Sequence, residues 1–479
     1  MKKLFILLVI FLLAFLLVSC NSINTNPPSN EGTPEKEHVH SFGEWNVVLE
    51  PSCLEGKYDR SCSCGEIESE QMPPVKNHKF EYGICAYCRG NFNVTDKYIS
   101  YIRTTNGYTL TVKNVENLPE RLEIPAEING LPVLAIQEKA FYAAGNIKEI
   151  VIPETITRIY DETFYSSTIE KVTLPSTLEI IGESAFANCR RLTEIVIPES
   201  VTKIGQRAFW GCSSLTKATL PSAMKAIPAH LFSGCAKLTD IEIPSGVKRI
   251  CDYGFKGCAF ESIKLPDELQ EICDGAFDSC TKLKSIVIPE TVTTISRFAF
   301  RSCSSLESVN IPSGIKILDT EVFKNCSSLK EIIIPDSVTD IYSYAFSDCA
   351  SLKHVVIPDS VTLLGHNAFY GCDSLESVVL SKNITEISSA LFKRCEKLRQ
   401  VVIPDGVTVI WPYAFSYCTS LEKLVIPASV TEIYSVFENC NANVQICYTG
   451  SEEQWEQIEV SSYETNLANL QVTYNYVMK

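Results

Sequence analysis

The sequence has an excess of negative charge, little histidine and hardly any methionine or tryptophan. Its 42 Lys and Arg residues are outnumbered by 57 Asp and Glu residues, which gives a net charge of −15. That balance argues against nucleic acid or an anionic lipid surface as a main partner. The chain also lacks an HExxH motif, a glycine-rich phosphate loop, a nucleophile elbow and paired carboxylates at a distinctive spacing. We therefore predict that the protein is not an enzyme.

No hydrophobic run is long enough for a comfortable transmembrane helix. The run Leu4–Val18 follows two lysines and leads to Cys20 in the text LVSC, a pattern typical of an export signal. Its end resembles the bacterial lipobox, in which the cysteine is lipidated; a plain secretory signal is the alternative. We expect a lipoprotein signal peptide at residues 1–19 and a flexible tether rich in Asn, Pro and Ser over residues 20–37. The protein would then sit on the extracellular face of the bacterial cell membrane and touch that membrane only through the lipid on Cys20.

Cysteine is abundant and falls into two patterns, the first of which lies in residues 38–90. Five of the 21 cysteines stand there beside three of the six histidines. Such a density of thiols and imidazoles suits tetrahedral zinc, whereas disulfides are the alternative outside the cytoplasm. The stretch resembles a small Cys/His unit of exported Gram-positive proteins, although the spacing of its middle cysteine pair is one residue shorter. The candidate ligands of a structural zinc ion are His40, Cys53, Cys62, Cys64, His78, Cys85 and Cys88.

The second pattern is a repeat of 22 or 23 residues. Phenylalanine marks it at positions 141, 164, 186, 209, 232, 255, 277, 300, 323, 346, 369, 392, 415 and 437, and cysteine follows three residues later in all but the first two units. The unit reads A-F-x-x-C-x-x-L-x-x-I-x-I-P-x-x-V-T-x-I. Regular steps of this length indicate a solenoid. We predict about 14 coils with a β-rich fold, built from parallel sheet and short helical turns.

The parts of one unit can be read from its spacing. Ile195 and Ile197 alternate with outward positions, which is strand periodicity, and Pro198 ends that strand. A second extended piece, at residues 201–204, returns the chain. The residues between this piece and the next strand keep helical intervals, which predicts a short helical or tight-turn segment. The repeated cysteine is then a small buried residue with a weak S–H donor, and not a nucleophile.

The repeated text resembles the BspA-like, or treponemal-type, leucine-rich repeat proteins of bacterial surfaces. The match covers roughly residues 120–440, with C-x-x-L-x-x-I-x-I-P and A-F in almost every unit. The resemblance implies extracellular attachment to matrix proteins, other microbes or host cells. We assign residues 91–440 to the solenoid with its N-terminal cap. Residues 441–479 are assigned to a C-terminal cap, because their Tyr-x-Gly-Ser-Glu-Glu-x-Trp text resembles the tails of other members.

A repeat array must bind its partners through outward positions that recur along the stack. One outward strand row is uninterrupted aliphatic in five consecutive coils: Ile333, Val356, Val379, Val402 and Val425. Glu331 and His354 belong to the polar row beside it. Valine is comfortable on any sheet surface, but a contiguous exposed stripe is unusual in a soluble protein. We predict that this face binds a large protein or glycan ligand on host, matrix or other cells.

Two alternatives stay open at this stage. The chain could be a cell-envelope scaffold or a glycan-binding accessory of an exported enzyme.

Cys251 and Cys273 occupy the same slot of adjacent coils, so they form a candidate disulfide.

Overall fold

A computed structural model describes residues 98–460 and 471–477 and, before them, the backbone of five short strands. The chain divides into two compact units, residues 1–75 and residues 76–479. In the first unit, β1 (Asn46–Val47), β2 (Lys57–Ser61) and β3 (Ile67–Gln71) form an antiparallel sheet. In the second unit, β4 (Phe80–Glu81) pairs with β5 (Ile84–Cys85), also in antiparallel orientation.

The repeat array begins with a cap that differs from the coils. Strands β6 (Ile99–Arg103) and β7 (Tyr108–Val112) form an antiparallel hairpin. A 3₁₀ turn at Val115–Asn117 follows. The cap continues with β8 (Arg121–Glu123), β9 (Glu127–Ile128) and β10 (Leu131–Ile136). Because β7 pairs in parallel with β10, the hairpin covers the edge that the first coil would otherwise expose.

Each coil then adds a short strand to one or to both of two stacks of parallel strands. We call these stacks the first row and the second row. The first row contains β8, β11 (Glu149–Val151), β13 (Lys171–Thr173), β15 (Glu194–Val196), β17 (Lys217–Thr219), β19 (Asp240–Ile241), β22 (Ser285–Ile286), β24 (Ser308–Val309), β27 (His354–Val356), β29 (Ser377–Val379), β31 (Gln400–Val402), β33 (Lys423–Ile426), β35 (Gln445–Tyr448) and β37 (Gln471–Thr473). The second row contains β10, β12 (Arg158–Ile159), β14 (Ile180–Ile181), β16 (Lys203–Ile204), β18 (Ala226–Ile227), β20 (Arg249–Ile250), β21 (Glu271–Ile272), β23 (Thr294–Ile295), β25 (Ile317–Leu318), β26 (Asp340–Ile341), β28 (Leu363–Leu364), β30 (Glu386–Ile387), β32 (Val409–Ile410), β34 (Glu432–Ile433) and β36 (Glu459–Val460). These 15 strands of the second row correspond to about 15 turns of a parallel-strand solenoid, which confirms the predicted fold class.

Register is strict from coil to coil, because every coil buries the same positions. In β15, Ile195 is buried between exposed Glu194 and Val196, as the alternation predicts. The pairing of β15 with β17 sets Ile195 opposite Ala218 of the next coil. Each inward side chain therefore lies over its equivalent in the neighbouring coil.

The segment between the second strand and the next first strand is a series of tight turns, so the tight-turn alternative of the prediction is the one present and the helical one is not. Ser184 and Asn188, two residues on either side of Phe186, have φ angles of 53° and 57°, which no α-helix allows. The Phe186 N–H donates to Ala208 O of the next coil at 2.8 Å. The backbone N–H of Phe186 thus bonds to the neighbouring coil, whereas in a helix it would bond within its own coil.

The repeated phenylalanine and cysteine fill the centre of the stack. Phe300 stacks on Phe323 with ring centroids 5.6 Å apart and planes 7° from parallel, and this arrangement continues from Phe141 to Phe437. Cys326 Sγ donates to Phe300 O of the preceding coil at 3.2 Å. The same bond is made by Cys189, Cys212, Cys235, Cys258, Cys280, Cys303, Cys349, Cys372, Cys395, Cys418 and Cys440. The predicted S–H donor is therefore present at every one of these cysteines, which are buried except for the partly exposed Cys440.

The C-terminal end of the array is closed by a short helix, α1 (Glu452–Trp455), and the strand β37. Ser451 and Gln454 form a capping box at the start of α1. The ring of Trp455 meets that of Tyr448 edge-on at 5.1 Å.

Candidate partner-binding face

The outward side of the first row carries the predicted aliphatic positions. Strands β27 and β29 pair in register, with Val356 opposite Val379, so these side chains are neighbours on one surface. The exposed fractions are 61% for Val356, 57% for Val379 and 37% for Val402. Ile333 is 83% exposed at the equivalent position of the preceding coil, which has no strand there. We call these four residues, Ile333, Val356, Val379 and Val402, the aliphatic stripe.

The prediction that Val425 extends this exposed stripe was wrong, because Val425 is only 3% exposed. Two residues earlier on the same outward side, Lys423 Nζ donates to Tyr476 Oη at 2.7 Å and lies 4.6 Å from the centre of the Tyr476 ring. Tyr476 N–H in turn donates to Tyr448 O at 3.0 Å. The residues after β37 thus reach the outward side of the first row at this end. In the coils of Val356, Val379 and Val402 the same side is exposed.

Polar and charged side chains border the aliphatic stripe. Glu331 and His354 are exposed, as predicted. His354 Nδ1 and Ser377 Oγ form a hydrogen bond of 2.8 Å between adjacent coils. Beyond them run exposed charges in inter-coil pairs, such as Lys330 with Glu307 at 2.6 Å. The face therefore has an apolar centre and a hydrophilic border, the usual composition of a protein–protein interface.

A surface depression of about 490 Å³ lies at the C-terminal end of the stripe. Val379 and Val402 form part of its wall, with Lys382 and Asp405 among its polar lining. Lys382 Nζ pairs with Asp359 Oδ2 at 2.9 Å, and hydrogen bonds from the Lys382 backbone and side chain lower the pKa of Asp359. Sequence reasoning missed this depression.

Aromatic side chains on the turn segments were also missed. Tyr413 and Tyr417 are 43% and 38% exposed. Lys393 Nζ lies 4.7 Å from the centre of the Tyr413 ring and 5.8 Å from that of Tyr417. The lysine covers part of both rings, so they do not form an open platform of the kind that the aliphatic stripe provides.

The structure brings Cys251 and Cys273 together, within hydrogen-bonding reach of each other. The predicted lipidation site and the candidate zinc ligands lie outside the residues that are described in full. Cys20 and the candidate zinc ligands His40, Cys53, Cys62, Cys64, His78 and Cys88 lie outside the described residues, and Cys85 is described only as part of strand β5. Among the residues that are described in full, no group of three or more His, Cys, Asp or Glu side chains is arranged to hold a metal. None of the helices in that same part of the chain is long and apolar enough to cross a membrane.

Comparison with known proteins places the repeat text in a family. The model of the BspA type leucine rich repeat region matches residues 134–260, 248–372 and 339–464, together more than half of the chain. A leucine rich cell surface protein from Faecalibacterium prausnitzii is 31% identical, over 77% of this chain and 98% of that one, with a TM-score of 0.50. A leucine-rich repeat protein from Bacteroides ovatus is 24% identical, over 80% and 99% of the two chains, also with a TM-score of 0.50. The second likeness shows the fold alone. No curated protein matches the chain.

Proposed function

The chain belongs to the family of BspA-type leucine-rich repeat proteins, and on that premise we propose that it is a non-enzymatic surface protein that binds a protein partner through the aliphatic stripe. The observation that carries the proposal is the exposure of four aliphatic side chains in consecutive coils. Water contact with such a stripe is unfavourable. Covering a valine or isoleucine completely is worth roughly 1.5–3 kcal/mol.

The partner is a protein rather than a glycan. Valine and isoleucine offer a sugar neither hydrogen bonds nor an aromatic face, whereas they pack well against the apolar side chains of another protein. The chain itself illustrates such a cover, because the segment that carries Tyr476 reaches the outward side where Val425 is buried. An extended partner segment with an aromatic side chain could cover Val402 and Val379 in the same manner.

A location at the cell surface is part of the proposal, and the description of a similar protein supports it. The similar protein of Faecalibacterium prausnitzii is described as a cell surface protein. For this chain, lipidation of Cys20 would supply the anchor, and the tether would hold the array away from the membrane. A structural zinc ion in residues 38–90 is a separate part of the proposal, and loss of zinc should leave capture by the array unchanged.

The proposal is tested by capture on the immobilised chain. The inputs are matrix proteins, mucins, whole microbial cells and purified cell-wall glycans. We expect saturable capture of one protein class. The double variant Val356→Lys/Val379→Lys should weaken that capture by at least ~100-fold, because two ammonium groups would have to lose water inside an apolar contact.

The array offers a matched control for this variant. Val196 and Val287 are 61% and 76% exposed in the same outward row, but their neighbours in that row are Thr173, Thr219, Lys264 and Asn310. Val196→Lys/Val287→Lys therefore adds the same charge away from the stripe and should leave capture unchanged. Full capture by a folded Val356→Lys/Val379→Lys variant would contradict the proposal. Capture of cell-wall glycan alone would favour an envelope role.

A further inference from the structure

Two cysteines of the array differ from the core thiols in place and environment. Cys251 and Cys273 stand directly after β20 and β21, four residues before the repeated phenylalanine. Cys251 is partly exposed, whereas the cysteines that bond to phenylalanine carbonyls from Cys189 to Cys418 are fully buried. A pair in adjacent coils with one partly exposed thiol, Cys251, and one buried thiol, Cys273, is chemically distinct from the core ladder.

The backbone brings this pair into register. Strands β20 and β21 pair in parallel, with Ile250 opposite Ile272. The residue directly after each strand is a cysteine, Cys251 or Cys273. Cys273 N–H donates to Ile250 O at 2.9 Å. Neighbouring strands lie about 4.8 Å apart, which falls within the usual Cα separation of a disulfide, ~4.4–6.8 Å. The two sulfur atoms can therefore be joined without a large movement of the backbone.

Arg249 provides a positive charge at the pair. Its Nε–H donates to Cys273 Sγ at 3.1 Å, and the guanidinium forms an ion pair with Glu271, with Nε 2.9 Å from Oε2. The hydrogen bond from Cys251, followed by the charge of Arg249, lowers the pKa of Cys273 to about 7, although burial and the nearby Asp252 oppose the shift. Burial raises the pKa of the core thiols instead, to about 12 for Cys189. These contacts favour the thiolate form of Cys273 more than that of the core thiols.

We propose that Cys251 and Cys273 are a redox-active dithiol that small disulfides oxidise to an inter-coil disulfide bond. Cys251 is the entry thiol because it is the exposed partner. Cys273 is the resolving thiolate, held ready by Arg249. The site is independent of the aliphatic stripe and of the proposed binding function.

The exchange balances in two steps. In the first, the Cys251 proton passes to the Cys273 thiolate, Cys251 Sγ attacks one sulfur of the small disulfide, and the first small thiolate leaves. In the second, Cys273 gives its proton to that leaving thiolate and attacks Cys251 Sγ of the mixed disulfide, which releases the second small thiolate. The protein loses two electrons and one proton, and the small disulfide is reduced to one small thiol and one small thiolate.

The position of the pair gives the bond a structural consequence. Phe255 and Phe277, which bracket this coil, are 22 residues apart instead of the usual 23. On the first row this coil has only an isolated bridge, between Ser262 and Ser285. A disulfide on the second row would clamp the shortened coil to its neighbour, so oxidation should slow local opening there.

The test begins with the full chain, reduced and then incubated with glutathione disulfide at pH 7.5. Free thiols are blocked before digestion, and peptides are identified by mass spectrometry. We expect a cross-linked Cys251–Cys273 peptide and no modification of the buried core thiols. Cys273→Ser should stop at glutathione bound to Cys251. Cys251→Ser should not react at this site, because Cys273 alone is buried.

A second variant separates the role of Arg249 from that of the fold. Arg249→Met should slow the cross-linking roughly tenfold at pH 7.5, because the thiolate fraction falls when the positive charge is removed. Arg158→Met, at the equivalent position of another coil, should leave the rate unchanged. Cross-linking that is equally fast in Arg249→Met would overturn the assigned role of Cys273. A native chain that yields neither the cross-link nor the mixed disulfide, while the unfolded chain reacts, would overturn the proposal.

Discussion

At the scale of single residues, the repeated cysteine solves a hydrogen-bonding problem as well as a packing one. Phe300 O accepts the N–H of Cys303 in its own turn at 3.2 Å and the S–H of Cys326 from the next coil, also at 3.2 Å. A carbonyl has two lone pairs, and both are used in this buried site. Cysteine is small enough for the slot and can still donate, which alanine cannot.

Substitution of one such cysteine measures that contribution. Cys326→Ala should lower the free energy of unfolding by about 1–2 kcal/mol, because it removes the S–H bond and leaves a small cavity. Chemical denaturation followed by circular dichroism gives the value. The exposed substitution Glu331→Ala should change it by less than about 0.5 kcal/mol. Equal stabilities of the two variants would show that the slot needs no sulfur.

At the scale of the coil, the strands could be predicted from sequence and the turns could not. Alternation around Ile195 and the stop at Pro198 define the first strand. In the turn segment, by contrast, Ala208, Phe209 and Cys212 recur at intervals that suit both a helix and a run of tight turns. The residue before the cysteine distinguishes tight turns from a helix. In two successive coils it is Asn188 and Gly211. Asn and Gly are the residues that tolerate a positive φ, and their φ angles here are 57° and 71°.

The C-terminal cap depends on a local hydrogen bond that can be removed. Ser451 Oγ accepts the N–H of Gln454 at 3.3 Å, and Gln454 Oε1 accepts the N–H of Ser451 at 2.9 Å. Ser451→Ala should destabilise α1 by about 1 kcal/mol, whereas Ser451→Asp keeps an acceptor and should not. Hydrogen exchange at residues 452–458 should become faster in Ser451→Ala only. Exchange that is equally slow in both variants would mean that Trp455 alone holds the helix.

At the scale of the whole molecule, strict register explains which parts of the site were predictable. The stripe from Ile333 to Val402 and the meeting of Cys251 with Cys273 both follow from the period, because equivalent positions of successive coils must be neighbours. The burial of Val425 was not predictable, because the segment that reaches Lys423 at this end carries Tyr476, more than 50 residues later, and lies outside the repeat period. The contact between Arg249 and Cys273 could not be predicted, because Arg249 is one of many arginines and lysines in the sequence and nothing in the repeat singles it out.

The stacked core also gives the whole array a common response to pH. Burial raises the pKa of eleven core thiols, namely Cys189, Cys212, Cys235, Cys258, Cys280, Cys303, Cys326, Cys349, Cys372, Cys395 and Cys418. In the unfolded chain a thiol ionises with a pKa of ~8.5. Above that pH the unfolded state loses protons that the folded state keeps, so the free energy of unfolding falls as pH rises. Below it the thiols are neutral in both states, and their contribution is constant.

We therefore expect the array to lose stability steeply between about pH 8.5 and 9.5, before the lysines titrate. Each buried thiol lowers the free energy of unfolding by about 1 kcal/mol across that window, and all eleven act in the same direction. Denaturation midpoints in the presence of a phosphine reductant measure the effect without oxidation. The triple variant Cys303→Ala/Cys326→Ala/Cys349→Ala should begin less stable and decline less steeply. Parallel declines of the two proteins would show that the thiols ionise without leaving the folded core, and that packing rather than desolvation sets the strength of the stack.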